Sequence, residues 1–540
     1  MPDVRPKKRA RPSLLVVGHC FDFRGQFSTF AMMPFWAAVC AMWALEQRSM
    51  MKFEGKILII GLGAVSRCTF PVLLKHLEMP RENITVMDFA ELGDAPSEVV
   101  KAGCNFVRDR LTRENLGHKL AQYVGKGDII VDLAWNIDCG ETIEWCHKRG
   151  VRYVNASVEV WDPYEGAADR QPAHRTLYWR HMRLRERMAS WKVQRGPTAI
   201  LDHGANPGLV QHFTKQALQD IAARWLVEFP THCDRRDLIA DASQHARYNE
   251  LAMLLGVKTI HVSERDTQIS QKPKEVGEFV NTWSIEGFHE EGIAPCEMGW
   301  GTHERTVPPR ACFHDEGPQN QICLAQMGCR TWVRSWVPYS EIVGMVIRHG
   351  EAFSISEHLT VRNEHKVPIY RPTVHYAYCP CDQAIVSMHE LHMRNYDLQP
   401  KLRIMNDDII SGADILGVLL MGHDFKSWWI GSLLDIEESR RLVPHQNATT
   451  VQVACAVMAA VMYMIENPHE GVLLPDQLPY DYILKHAKPY LGTFKSEPAD
   501  WDPLKNWSHL YERYGTPRPR EEDMWQFNSF LMNNISGNGY

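Results

Sequence analysis

Between residues 57 and 201 the chain alternates short apolar runs with segments of helical period. Ile57-Leu58-Ile59-Ile60 reads as a strand buried on both faces. It breaks into Gly61-Leu62-Gly63-Ala64-Val65-Ser66, and a helix is predicted over 68–77. A second strand, Ile84-Thr85-Val86-Met87, ends in Asp88. Further strands are predicted at 105–107, 128–133, 151–154 and 198–201, with helices over 115–124 and 141–149 between them. Strands spaced by helices predict βαβ units, hence an α/β fold with a doubly wound parallel sheet and a ligand site at the carboxyl ends of its strands.

The period changes after Asn206-Pro207-Gly208. A helix over 209–225 leads into aromatic and polar strand-like segments, among them 259–263 and 345–347, which read as an inserted α+β substrate domain. A small-residue helix over 447–465 is expected to pack back on the parallel sheet. The predicted division is a dinucleotide-binding domain at 51–207, a substrate domain at 208–414 and returning C-terminal helices at 415–540.

The glycines of the first turn carry a chemical meaning. Gly61 permits a tight turn, Gly63 lets a pyrophosphate approach the backbone, Ala64, Val65 and Ser66 complete the cofactor-binding turn, and the helix predicted from 68 offers its N-terminal amides to the anion. Ser66 stands where such fingerprints place a third glycine. Asp88 lies at the distance where a ribose-binding acid is expected, and an acid there favours NAD over NADP. The predicted architecture is therefore an NAD-binding Rossmann domain with a second domain inserted.

Composition narrows the partners. The chain has 540 residues, 45% apolar and 23% charged, with a formal charge of -6. That balance argues against a nucleic-acid binder, which would show a basic surplus, and fits a cationic or neutral small substrate. The 14 cysteines include no C-x-x-C pair; Cys379-Pro380-Cys381 lacks a partner motif, and no metal site is assigned. The first fifty residues differ: a basic Lys7-Lys8-Arg9 lead precedes an apolar stretch over 27–45, broken by Pro34, that imitates a signal peptide or short membrane span. Because the dinucleotide strand starts just beyond Met50-Met51, translation is expected to begin at one of these methionines, with 1–50 a non-native or disordered extension and the enzyme cytoplasmic, without a membrane partner. N-terminal sequencing of protein made from its own promoter that found residues upstream of Met50 would defeat this.

Later motifs are more specific. Gly204-Ala205-Asn206-Pro207-Gly208, Ser263-Glu264-Arg265-Asp266-Thr267-Gln268 and Asn281-Thr282-Trp283-Ser284-Ile285-Glu286-Gly287-Phe288 follow the dinucleotide fold in this order, and Gly299-Trp300-Gly301-Thr302-His303-Glu304, Tyr370-Arg371-Pro372-Thr373-Val374-His375-Tyr376 and Gln446-Asn447-Ala448-Thr449-Thr450 come after them. Together they resemble bacterial homospermidine synthase over about 53–507. The resemblance implies a fold like that of saccharopine dehydrogenase, a homodimer, and NAD that is retained and regenerated in each cycle. It also implies putrescine as substrate, oxidised to an imine that loses ammonia to a second putrescine, or to spermidine, before reduction to the product.

The resemblance carries residue roles with it. Trp283 is implied as a cation–π wall, Glu264 and Glu291 as carboxylates facing the diamine, Asn206 as a hydrogen-bonding group, His349 and Asp414 as pocket residues, and Glu159 as a pocket residue near the cofactor. Glu290, beside Glu291, leaves that register open. Asn136 stands where some members of the family carry aspartate, so one anionic contact is lost there. A dicationic diamine does need carboxylates for its ends and an aromatic face for a transient cation. Two rivals use the same fold. A saccharopine- or carboxynorspermidine-type NAD(P)H-dependent dehydrogenase would need an arginine clamp, for which Arg265 and Arg371 are candidates; an NAD-sensing scaffold would need no substrate pocket.

Overall fold

The computed structural model describes residues 50–507 and 518–532, apart from 92, 194, 230 and 232. The reading of the N-terminal extension therefore lies, except for Met50, outside the described residues.

The expected parallel sheet is present. Its strands are β1 (Ile57–Ile60), β2 (Ile84–Asp88), β3 (Asn105–Arg108), β4 (Ile129–Asp132), β5 (Arg152–Asn155) and β6 (Ala199–Ile200). They lie in the order 3-2-1-4-5-6, with Val472–Leu473 added parallel beyond β6 to make seven strands. All four β1 side chains are buried, as a strand covered on both faces requires. Helix α1 (Ala64–His76) starts four residues before the predicted 68, directly on Gly63. Leu77, predicted helical, instead pairs with Met51 in a short parallel ladder.

Helix α2 (Leu209–Glu228) leads from this half into a ten-stranded mixed sheet. Three of its strands build the site: β7 (Thr259–Asp266), β8 (Thr373–Cys379), parallel to β7, and β9 (Ala413–Met421), antiparallel to it. Side chains alternate across a strand, so Val262, Glu264 and Asp266 share one face and His261, Ser263 and Arg265 the other. Val262 joins the large core with Tyr376 and Leu416, whereas Ser263 accepts the indole N–H of Trp429, itself part of the core on the opposite face, at 3.0 Å. The glutamate thereby faces the parallel sheet's half.

The boundary expected at 414 falls inside β9, and after it the chain supplies sheet as well as helix: Ser427–Asp435 pairs with β9, and Thr493–Ala499 forms the edge beyond. Antiparallel partners distant in sequence leave no local mark of their register. The predicted strand at 345–347 likewise ends at Met345. Helix α3 (Ile285–Ile293) carries part of the pocket, and α4 (Ala448–Glu466) packs on α1 and β5 as anticipated. By length and hydropathy α4 could cross a membrane, yet 83% of its apolar window is buried inside the protein, as a core helix requires.

Candidate active site

Gly61 adopts φ +87°, and a Cβ there would lie 3.0 Å from the Leu133 carbonyl oxygen, so both backbone conformation and strand approach demand glycine. At Gly63 a Cβ would meet nothing within 4 Å; space above it is open. Helix α1 has no side-chain cap at Gly63 and no acid in its first turn, which leaves the amide end free for an anion. Gly61, Gly63, Ala64 and Val65 line a cleft of about 2070 Å³ that continues to Asp88 and Asn136. Ser66 is buried and does not line the cleft; it occupies the packing position between helix and sheet. Asp88 accepts hydrogen bonds from the Leu62 amide at 2.6 Å and the Ala90 amide at 2.8 Å, which fix its carboxylate at the cleft edge. Asn136, with φ +63°, leaves its buried carbonyl oxygen without a partner.

A pocket of about 1130 Å³ adjoins this cleft, sharing Val65, Leu133, Ala134, Trp135 and Ser284 with it. Into it the fold brings Asn206, Glu264, Trp283, Glu291, His349 and Glu159. Asn206 arrives on the loop after β6, which closes on itself: the Gly204 amide donates to the Pro207 carbonyl at 2.7 Å, and Gly208 has φ +134° with no room for a Cβ. The Asn206 amide donates to Glu264 at 3.2 Å, and Tyr376 donates its hydroxyl to the same oxygen. Burial, only partly opposed by the Tyr376 hydrogen bond, pushes the Glu264 carboxyl up to about 7.

Behind Glu264, β7 and β9 place Asp266 directly opposite Asp414. Asp414 is fully buried, accepts from Thr449 at 2.6 Å and does not line the pocket. Burial and the charges of Glu264 and Asp266 hold it well above the usual carboxylate range. It is a second layer behind the wall.

Trp283 donates its indole N–H to the Tyr378 hydroxyl at 2.9 Å, which fixes the ring at the pocket wall beside Gly287. Helix α3 settles the Glu290 and Glu291 register. Glu290 is buried between Arg180 and Arg348, both bonded to its Oε1, while Trp135 reaches Oε2 at 3.4 Å. Burial alone would raise that carboxyl, but Arg348 and Arg180 override it and hold it down to about 2. Glu291 faces the pocket and pairs with His349 at 3.0 Å, and Glu351 lies 3.3 Å from the other ring nitrogen. Burial would lower the imidazole; Glu351 and Glu291 override it and hold His349 well above its usual value.

Glu159 accepts from Ser157 at 2.6 Å and leaves Oε2 buried without a partner; burial, then the Glu290 charge, pushes it up to about 7. Two further carboxylates, which the sequence did not single out, also line the pocket. Asp132 ends β4, accepts from Tyr153 at 2.8 Å and is pushed up to about 6 by burial. Asp202 sits at φ +54° with its carboxylate 2.8 Å from His181. An acid at a parallel-strand carboxyl end was a usable signal for Asp132; nothing local marks Asp202.

The pocket wall thus carries five carboxylates, those of Asp132, Glu159, Asp202, Glu264 and Glu291, with His349 as its basic group. Among the described residues, no lysine or arginine lines it. Arg265 is engaged by Asp382 at 2.7 Å and Arg371 by the Trp300 carbonyl at 2.6 Å, both away from the pocket.

Comparison with known proteins follows the same division of the chain. The model of the saccharopine dehydrogenase NADP binding domain matches residues 57–200, and that of the saccharopine dehydrogenase C-terminal domain matches 204–499. The homospermidine synthase of Blastochloris viridis is 37% identical over 489 residues, which are 89% of this chain and 98% of that protein. The homospermidine synthase of Mesorhizobium japonicum is 36% identical over 491 residues, 89% of this chain and 97% of that protein. A crystal structure of the Legionella pneumophila homospermidine synthase in complex with NAD matches with a TM-score of 0.78 at 35% identity, covering 90% of this chain and 99% of that one. Likeness at this level, sustained along almost the full length of its relatives, means that the chain belongs to the homospermidine synthase family.

Proposed function

We propose that the protein is a homospermidine synthase that joins two putrescine molecules, or putrescine and spermidine, releasing ammonia, with NAD as a hydride carrier that is not consumed. The observation that carries this reading is the wall of five carboxylates without lysine or arginine among the described residues, a setting for a dicationic diamine and a poor one for a substrate with an α-carboxylate.

NAD would be held with its pyrophosphate at Gly61, Gly63 and the start of α1, and its adenosine ribose at Asp88; an added 2′-phosphate there would face that carboxylate, which favours NAD over NADP. When bound, it takes a hydride from an amine-bearing carbon and later returns one.

Glu264 receives the reacting ammonium. Its carboxylate, with a pKa poised near neutrality, takes one proton from the ammonium as the carbon loses hydride and the carbon–nitrogen bond becomes an iminium. Asn206 and Tyr376 hold the carboxylate in one orientation. The second amine then adds to the imine carbon, the first nitrogen leaves as ammonia with a proton from the acid, and the new imine accepts the returned hydride. Two putrescines yield homospermidine and one ammonia. Trp283 offers its face to the iminium charge, worth roughly 2 kcal/mol in a dry site. Glu291, steadied by His349, binds the far ammonium.

Purified protein given putrescine and catalytic NAD should form homospermidine and ammonia, read by mass spectrometry, with no net NADH. Absence of product, together with steady NADH consumption when a carbonyl substrate is supplied, would move the assignment to a saccharopine-type dehydrogenase.

A further inference from the structure

Beside the diamine pocket, on the other side of Glu290, lies a separate small cavity, open to solvent, with the opposite electrostatic character. Arg170, Arg175, Arg180 and Arg348 line it together with His174, against the one carboxylate of Glu290. In a chain of net charge -6 such a concentration of guanidinium groups is anomalous.

Their internal partners do not use them up. Arg180 and Arg348 share a single oxygen of Glu290. Arg348 is 5% exposed, yet its Nε has no hydrogen-bond partner. A second Arg348 nitrogen is spent on the backbone carbonyl of Arg175, at 3.1 Å, which brings two arginines to one edge of the cavity. Burial, then the like charges of Arg348 and Arg170, holds the Arg175 guanidinium below its ordinary value. Arg170 lies 5.3 Å over the Trp179 ring, a contact that fixes its head without neutralising it. Burial would lower the Arg348 guanidinium, but Glu290, Glu297 and Glu291 favour its charge and raise it; its buried Nε still lacks an acceptor, a cost that an oxygen of a bound anion would remove.

We propose that this cavity is a binding site for a small oxyanion, a phosphate or carboxylate group, held by Arg170, Arg175 and Arg348. Planar guanidinium forks match the paired oxygens of these ligands. The cavity is distinct from the dinucleotide cleft, with which it shares no lining residue. It is coupled by geometry to the diamine pocket. Residues 290 and 291 of α3 pair with 348 and 349 as two successive rungs, Glu290 with Arg348 on the cavity side and Glu291 with His349 on the pocket side.

The test is titration calorimetry of the full chain with inorganic phosphate and, separately, with malonate, at ionic strength held constant with sodium chloride. The parent should bind at least one of the two saturably, and Arg175→Gln and Arg170→Gln should each weaken that binding at least tenfold while keeping the parent's thermal midpoint. Phosphate tighter than malonate identifies a phosphoryl ligand, the reverse a carboxylate. No saturable binding of either anion overturns the proposal, and so does binding that survives both substitutions unchanged, because the anion then sits elsewhere, such as the start of α1. Neither readout depends on turnover, so failure here leaves the proposed activity standing.

Discussion

Asn206, on a loop of the parallel sheet's half, donates to Glu264, on a strand of the large mixed sheet, at 3.2 Å. One hydrogen bond therefore ties the two halves of the molecule at the point where the amine would react, so the loop and the acid are positioned by each other.

Substituting Glu264→Gln should lower turnover by ~10²–10⁴-fold, the usual worth of a positioned acid–base group. It should also change stability in a defined direction. The folded carboxyl titrates near 7 against 4.5 when unperturbed, so the native state binds the proton more tightly. The stabilisation is full below 4.5 and is lost as pH rises through 7. Thermal midpoints at pH 5 and pH 8 should differ less in the variant than in the parent; an equal or larger difference contradicts the assignment.

Glu290 and Glu291 should separate cleanly on substitution by glutamine. Glu290→Gln leaves two buried arginines without their counter-charge and should cost about 3–5 kcal/mol in unfolding free energy. Glu291→Gln should leave the denaturation midpoint close to the parent's, raise the KM for putrescine, and shift the pH–rate profile as His349 loses one of its two carboxylates. Equal destabilisation by both would remove the distinction.

For Trp283, phenylalanine and alanine should form a graded series. Trp283→Ala should reduce kcat/KM by about 30-fold, equivalent to roughly 2 kcal/mol, and Trp283→Phe by less. Full turnover in Trp283→Ala, with the fold intact by circular dichroism, would leave Trp283 a packing residue only.

Asp88→Ala should weaken NAD while narrowing its advantage over NADP, measured as the ratio of the two Kd values by fluorescence titration. An unchanged ratio would mean that the Asp88 carboxylate only holds the Leu62 and Ala90 amides.

Legibility followed the range of the interactions. β1, its glycines and Asp88 lie within about 30 residues and were readable as one unit, since period, turn and acid recur at fixed spacing. The order of the mixed sheet was not readable, because β7 pairs with β8 and β9, over 100 residues away in each case, and alternation alone does not choose between partners. Among site residues, those inside motifs such as Asn206 and Trp283 reach the pocket wall. Asp414 shares the site's face but lies one layer behind, set there by its register with Asp266. Ser66 points the same lesson at smaller scale: its spacing matched a fingerprint, while helix packing took the side chain away from the cleft. Asp202 depends on His181 and a left-handed backbone, neither of which leaves a trace in a linear string.

The last strand of the parallel sheet, Val472–Leu473, and the helix α4 that covers α1 come some 250 residues after β6. During synthesis at about 5–20 residues per second, the first 200 residues would wait on the order of ten seconds to a minute with the apolar side of α1 uncovered and an edge of the sheet unpaired. A product terminated before α4 would keep that side of α1 and that sheet edge uncovered, exposing sticky surface to chaperones and proteases.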